Sequence, residues 1–163
     1  MQINQGLDFV ITWVDGNDPV WRKERDAREK QLDRMDGCDN RNARYRDWDN
    51  LKYWFRGVEK FAPWVHNVYF VTWGHVPEWL NLDHPKLQIV KHEDYIPEKY
   101  LPTFNSHTIE WNLHRIEGLS ENFVYFNDDM FLVREVKPSD FFMDGKPKDM
   151  LALQPIVANA QDV

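Results

Sequence analysis

Asn127, Asp128 and Asp129 set an amide and two adjacent carboxylates directly after the apolar run Phe123-Val124-Tyr125-Phe126. The aromatic and β-branched content of that run predicts a buried strand, so the three polar side chains emerge at its carboxyl end. Open α/β sheets bind ligands at that end. Paired aspartates offer hard oxygen donors and shared negative charge, which suits a Mg²⁺ or Mn²⁺ ion carrying a phosphorylated substrate. An Asx turn leaving the strand is the plainer reading of the same residues.

A second exit of the same kind is Asp15-Gly16, after the run Leu7 to Trp13. Asp15 could meet a ribose, a base or a metal, although no glycine-rich phosphate loop follows; a simple Asp-Gly turn is the alternative. Arg44, Arg46 and Arg56 are candidates for the cationic side of a diphosphate site, because planar guanidinium groups bind phosphate oxygens in pairs. Asp47 follows Arg46, so a surface ion pair competes, most strongly for Arg44. Further along, His107, Glu110, Trp111 and His114 are spaced to share one helical face. That face is polar and aromatic where a core face would be aliphatic. His107 could serve as general base toward an acceptor hydroxyl. The spacing is not a standard zinc pattern, and packing with hydrogen bonding is the simpler role for His114.

The elements that must carry these groups alternate. Leu7 to Trp13 reads as a strand. Asp18-Pro19 then starts a charged helix running to about Met35, with Asp18 as cap and Pro19 in the first turn. Its apolar face is thin: Trp21, Leu32 and Met35. After a polar loop, Asp36 to Arg46, the spacing of Leu51, Trp54, Phe55, Val58 and Phe61 predicts a helix from about Asp49 to Phe61. Strands follow at Asn67 to Trp73 and Leu87 to Val90, joined by a turn-rich connection. A third helix runs from Asn105 or Ser106 to about Arg115 before the Phe123 strand. Strand and helix in alternation imply an α/β fold with a mostly parallel sheet and right-handed crossovers, so the strand exits share one rim.

The 163 residues suit a single α/β domain, and 42% hydrophobic with 29% charged residues reads as a globular protein. A net charge of −7 without a basic stripe argues against nucleic acid as partner. No apolar run reaches the length needed to span a bilayer and the amino terminus lacks the basic and apolar regions of a signal peptide, which leaves peripheral membrane attachment open. The single Cys38 cannot pair internally and reads as an exposed thiol. Eight tryptophans are unusual; most should pack in the core or against helices, with a few available to stack on sugars.

These segments occur in an order that resembles the Stealth family of sugar-1-phosphate transferases, which includes bacterial capsular polysaccharide phosphotransferases and the animal GlcNAc-1-phosphotransferase alpha/beta precursor. Asp8-Phe9-Val10-Ile11-Thr12-Trp13-Val14-Asp15-Gly16 is similar to its first block. Arg44-Tyr45-Arg46-Asp47, Val58 to Trp64, Val76 to Leu80, Leu101 to His107, Leu113 to Ile116 and Tyr125 to Asp129 are similar to its second. The Leu51 to Arg56 stretch departs from the family, which usually has a small residue and an Arg-Tyr pair there.

The resemblance implies a Rossmann-like sheet related to glycosyltransferase A folds. It also implies a divalent cation, Mg²⁺ or Mn²⁺, and transfer of a sugar-1-phosphate from a nucleotide diphosphate sugar, a UDP-sugar by expectation, to a glycan hydroxyl. Attack is at phosphorus, and a nucleoside monophosphate leaves. On that reading His107, Asn105 and Arg56 are catalytic, Asp15, Gly16 and Arg46 hold the nucleotide sugar, and Asp128 and Asp129 hold the metal. The expected setting is surface polysaccharide synthesis in the cytoplasm, at the inner face of a bacterial membrane. Residues 1–163 would form the amino-terminal part of a longer catalytic domain, with two further family blocks beyond it. A metal-dependent glycosyltransferase that releases a nucleoside diphosphate, and a non-catalytic sugar-nucleotide or glycan-binding segment, are the competing readings.

Overall fold

A computed structural model describes residues 6–31 and 48–149. Four strands form one all-parallel sheet: β1 (Asp8–Trp13), β2 (Val68–Thr72), β3 (Leu87–Lys91) and β4 (Phe123–Phe126), in the order β3-β2-β1-β4. The expected α/β class and parallel sheet are therefore present. The chain steps outward from β1 to β3 and then returns to the other side of β1. This reversal makes the junction of β1 and β4 a topological switch point, the place where open α/β sheets bind ligands.

β1 is apolar on both faces because both faces are covered. Phe9, Ile11 and Trp13 pack toward α2 (Leu51–Phe61), in a cluster with Trp54, Val58, Phe70 and Phe126. Val10 faces the opposite layer with Tyr69, Val71, Val90, Leu113 and Ile116. The helical spacing read from the sequence holds in α2, whose buried residues include Leu51, Trp54 and Val58. Gly57 is also buried there: a Cβ at this position would lie 3.3 Å from the Leu132 carbonyl oxygen, so glycine admits the segment that follows β4. That segment is tied down where Val136 donates its N–H to Phe61 and Trp64 Nε1 donates to the Val136 carbonyl, at 3.0 and 2.7 Å.

α1 (Pro19–Gln31) starts as expected, with Asp18 Oδ1 accepting from the Val20 and Trp21 N–H groups at 2.8 and 2.7 Å. Its Trp21 is buried edge-on against Phe104, and the buried Arg25 lies over the same indole. The continuation to Met35 and the loop with Cys38, Arg44 and Arg46 lie outside the described residues. Two expectations need correction. α4 (Ser106–Trp111) is shorter than the spacing predicts, because the Asn112 side chain takes the Thr108 carbonyl at 2.8 Å that its own N–H would otherwise use. The chain then tightens into a 3₁₀ turn, Leu113–Arg115, and His114 is exposed, not packed. β4 is mostly half-buried, not fully buried, because it has a neighbour on one side only among the described residues.

The short α3 (His92–Tyr95) follows β3, and the β4 segment ends in α5 (Pro138–Phe141) and a two-strand hairpin, β5 (Phe142–Met143) and β6 (Lys146–Pro147). Asp144 and Gly145, both at positive φ, make its turn.

At the amino edge of the sheet the Asp8 carboxylate is fully buried. It accepts from His66 Nδ1 at 2.9 Å, from the Asn67 N–H at 2.9 Å and from the Ser120 N–H at 2.8 Å. One side chain thus joins the start of β1 to the entries of β2 and β4. Asp8→Ala should cost about 3 kcal/mol in urea unfolding, since it strands buried donors that bonded a charged acceptor. An unchanged midpoint would deny Asp8 this bracing role.

Candidate active site

The register that sets Ile11 opposite Phe126 brings the exits of β1 and β4 level with one another at the carboxyl edge. Asp15-Gly16 and Asn127-Asp128-Asp129 therefore leave adjacent strands on one rim, with Trp73-Gly74 leaving β2 beside them. Two clusters organise that rim.

The first is built around the Asp15 turn. Asp15 Oδ1 accepts from the Asn17 N–H at 2.8 Å, which is an Asx turn. Arg22, one turn into α1, donates from Nε to the Gly16 carbonyl at 2.6 Å and from Nη2 to Asn17 Oδ1 at 2.8 Å. The Asp15 backbone N–H donates to His75 Nε2 at 2.7 Å. A backbone N–H can only donate, so His75 is neutral and carries its proton on Nδ1. Gly74, at φ 139°, lets the chain swing back from β2 so that His75 reaches over Trp13, at a ring separation of 5.2 Å. Burial holds the His75 pKa below its usual value, while the Asp18 and Asp15 carboxylates pull it back up. His92 sits nearby, buried, its pKa lowered to about 4 by burial and then by His75. Two uncharged imidazoles thus lie close together here, of which His75 bonds the turn directly.

The second cluster joins β1, β4 and α4. The Tyr125 hydroxyl lies 3.1 Å from Thr12 Oγ1, 2.8 Å from Asn127 Oδ1 and 3.3 Å from Glu110 Oε1. Burial pushes its pKa up to about 12; Thr12 opposes this, and the Glu110 and Asp128 carboxylates add to it. Tyr125 is therefore a neutral donor near pH 7, not a base. Glu110 is the link that brings α4 to the rim. His107, one turn earlier on α4, is exposed, and its backbone N–H is capped by Asn105 Oδ1 at 2.9 Å. Asn105 thus has a structural task in this geometry.

Asp128 and Asp129 are exposed at the end of β4. Among the described residues no three His, Cys, Asp or Glu side chains gather in a way that could hold a metal ion. These residues alone do not make a cation shell. Arg56 lies on the exposed side of α2 and lines a separate cavity, while Arg46 is outside the described residues. Sequence reasoning missed His75, Arg22, Thr12 and Tyr125 as rim residues. The Trp-Gly-His run after β2 was the available signal for the first.

Comparison with known protein families matches residues 7–33 to Stealth protein CR1, conserved region 1, and residues 44–150 to Stealth protein CR2, conserved region 2. The chain belongs to the Stealth family. It is 54% identical over 153 residues to a capsular polysaccharide phosphotransferase WcwK of Streptococcus pneumoniae, covering 93% of this chain and 45% of the relative. It is 51% identical over 151 residues to the capsular polysaccharide phosphotransferase eps5J of Streptococcus thermophilus, covering 93% and 63%. With the receptor polysaccharide phosphotransferase WefC of Streptococcus oralis it shares 51% identity over 152 residues, covering 93% and 46%. The chain thus spans about half to two thirds of the length of these Stealth relatives.

The buried imidazoles predict an acid-sensitive fold. A group whose folded pKa is depressed contributes full stability above its unfolded pKa, and that stability is lost as pH falls through the folded one. For His92 the window runs from about 6.5 down to about 4. Urea unfolding should show a loss of about 2 kcal/mol between pH 7.5 and pH 5, and His92→Gln, which cannot titrate, should remove most of that slope. A slope that survives the substitution would place the acid sensitivity elsewhere.

Proposed function

We propose that this Stealth chain is part of a phosphotransferase that moves a sugar-1-phosphate from a nucleotide diphosphate sugar, a UDP-sugar in the first instance, to a hydroxyl of a growing surface glycan. The observation that carries the reading is the level pair of strand exits at the switch point, Asp15-Gly16 beside Asn127-Asp128-Asp129. The names of the relatives support a capsular or receptor polysaccharide as the product class.

In this reading the acceptor oxygen forms a bond to the phosphorus that bears the sugar. The phosphoanhydride bond breaks, and the nucleoside monophosphate leaves with the bridging oxygen. The acceptor proton goes to a base, for which His107 is the proposed group. Asp15 and Gly16, braced by His75 and Arg22, take the nucleotide side, and Arg46 is the proposed cationic partner of the diphosphate. Tyr125 supplies a neutral donor that positions Asn127 or Glu110 beside the reacting groups. Asp128 and Asp129 would lend Mg²⁺ or Mn²⁺ two carboxylate donors, with the remainder supplied from elsewhere in the complete protein. No helix among the described residues is long and apolar enough to cross a membrane, and we place the reaction at the cytoplasmic face through peripheral contact.

The released nucleotide decides the reaction class. With the complete protein, a UDP-sugar and acceptor, UMP should accumulate in step with product; UDP without UMP would assign the chemistry to glycosyl transfer, and neither nucleotide would leave a binding segment. Asp128→Asn with Asp129→Asn should lower turnover about 100-fold or more with the circular dichroism spectrum preserved. His107→Ala should lower kcat about 100-fold with a much smaller change in KM. Equal losses in kcat/KM and affinity would make His107 a binding residue.

A further inference from the structure

The connection from β2 to β3, residues 73–86, contains no helix. In a parallel sheet a crossover helix normally covers this face, and here its place beside α2 is held by a loop. The outcome is a cavity of about 500 Å³ between α2 and residues 79–87, within the size range of small-molecule sites. None of the carboxyl-edge residues Asp15, Tyr125, Asn127 or Asp128 lines it.

Phe55 and Trp79 stand among its aliphatic and polar lining. Trp79 is 43% exposed and is held edge-to-face by Phe55 at 5.9 Å, so an indole is both fixed and accessible. Polar groups surround it. Asn81 spends its Oδ1 on the Asp83 N–H at 3.1 Å, leaving its amide hydrogens to offer. Glu59 supplies a carboxylate acceptor on the same wall as Arg56. Arg56 lies over the Tyr53 ring at 5.8 Å and makes no hydrogen bond or ion pair among the described residues. Lys86 is different: its Nζ is spent on the Pro63 and Val65 carbonyls at 2.8 and 2.7 Å, which holds the floor of the cavity together.

We infer that this cavity is a second ligand site that binds an anionic carbohydrate, with the sugar ring stacked on Trp79, hydroxyls shared between Asn81 and Glu59, and a phosphate or carboxylate substituent against Arg56. An indole face suits the C–H surface of a sugar ring, a mixed amide and carboxylate pair suits hydroxyls that both donate and accept, and a guanidinium with no hydrogen bond or ion pair among the described residues suits an oxyanion. The assignment does not rest on the transfer reaction, because no carboxyl-edge group takes part.

Saturation-transfer NMR on the complete protein, without nucleotide sugar, tests it. The probes are the 6-phosphates of glucose, galactose and N-acetylglucosamine, the matching uronates and neutral sugars, and inorganic phosphate. Ring protons of at least one phosphorylated or uronate sugar should receive saturable transfer. The dissociation constant should rise at least fivefold in Arg56→Gln, transfer should vanish in Trp79→Ala, and Trp79→Phe should retain much of it. A response confined to the phosphates or to the uronates identifies the anion, and either supports the site. Absence of saturable transfer from every anionic sugar, transfer that survives Trp79→Ala, or displacement by inorganic phosphate alone at equal concentration would overturn it. UMP production measured on the same variants is a separate readout, so failure of this site and failure of the transfer reaction are told apart.

Discussion

The Asp8 carboxylate is the constraint on which the sheet depends. A charge removed from water is tolerated only when its lone pairs are occupied, and here three donors from two separate segments occupy them. The same contacts fix where β2 and β4 begin relative to β1. In a parallel sheet, register at the starting edge also sets the level at which each strand ends. Bracing at the amino edge therefore determines whether Asp15 and Asn127 leave the sheet side by side. It also influences its surroundings: burial first and Asp8 second raise the pKa of Tyr69 on β2, which keeps that phenol neutral within the opposite layer.

The carboxyl edge is organised on a different principle. Apart from Arg22, which bonds the Gly16 carbonyl and Asn17, its supporting imidazole and phenol are held uncharged. Burial depresses the His75 imidazole and raises the Tyr125 phenol, so each presents one defined hydrogen-bonding role: His75 accepts from Asp15, and Tyr125 donates toward Asn127 or Glu110. The charged groups Asp128 and Asp129 sit exposed above them. Neutral supports avoid the desolvation cost of buried ions and leave the field at the rim to the carboxylates and to whatever anion or cation they meet. Trp13, stacked on Phe70 at 5.8 Å and edge-on to His75, extends this uncharged layer under the turn.

Much of the fold was legible because it rests on local periodicity. The apolar run of β1, the 3.6-residue spacing of α2 and the Asp18-Pro19 start of α1 are signals carried by a few adjacent residues, and each element appears where its signal lies. The parts that escaped depend on partners distant in sequence. Nothing near Asp8 announces that Ser120 will donate to it, and nothing near Asp15 announces His75, sixty residues on. α4 failed for a local reason of another kind: Asn112 competes for the Thr108 carbonyl, and this breaks the register that would have aligned His114 with His107. Of the candidate residues, Asp15 and Asn127 to Asp129 share the rim, Glu110 brings α4 to it, and Arg56 faces a different cavity.

The distribution of tryptophan follows from the same division between braced core and open surface. Trp13, Trp21 and Trp54 are buried, as expected for large apolar side chains, whereas Trp48, Trp79 and Trp111 remain exposed. Exposure of an indole alone carries little meaning, since apolar atoms contribute much of any protein surface. Trp79 differs because the helix that would cover it is missing from the β2 to β3 connection and because Phe55 fixes its ring. A crossover without a helix leaves the outer strand β3 thinly covered, with Ile89 37% exposed. The open face beside Trp79 and the closed rim around Asp15 therefore arise from opposite treatments of the same sheet: one gap filled by buried neutral side chains, the other left as a cavity.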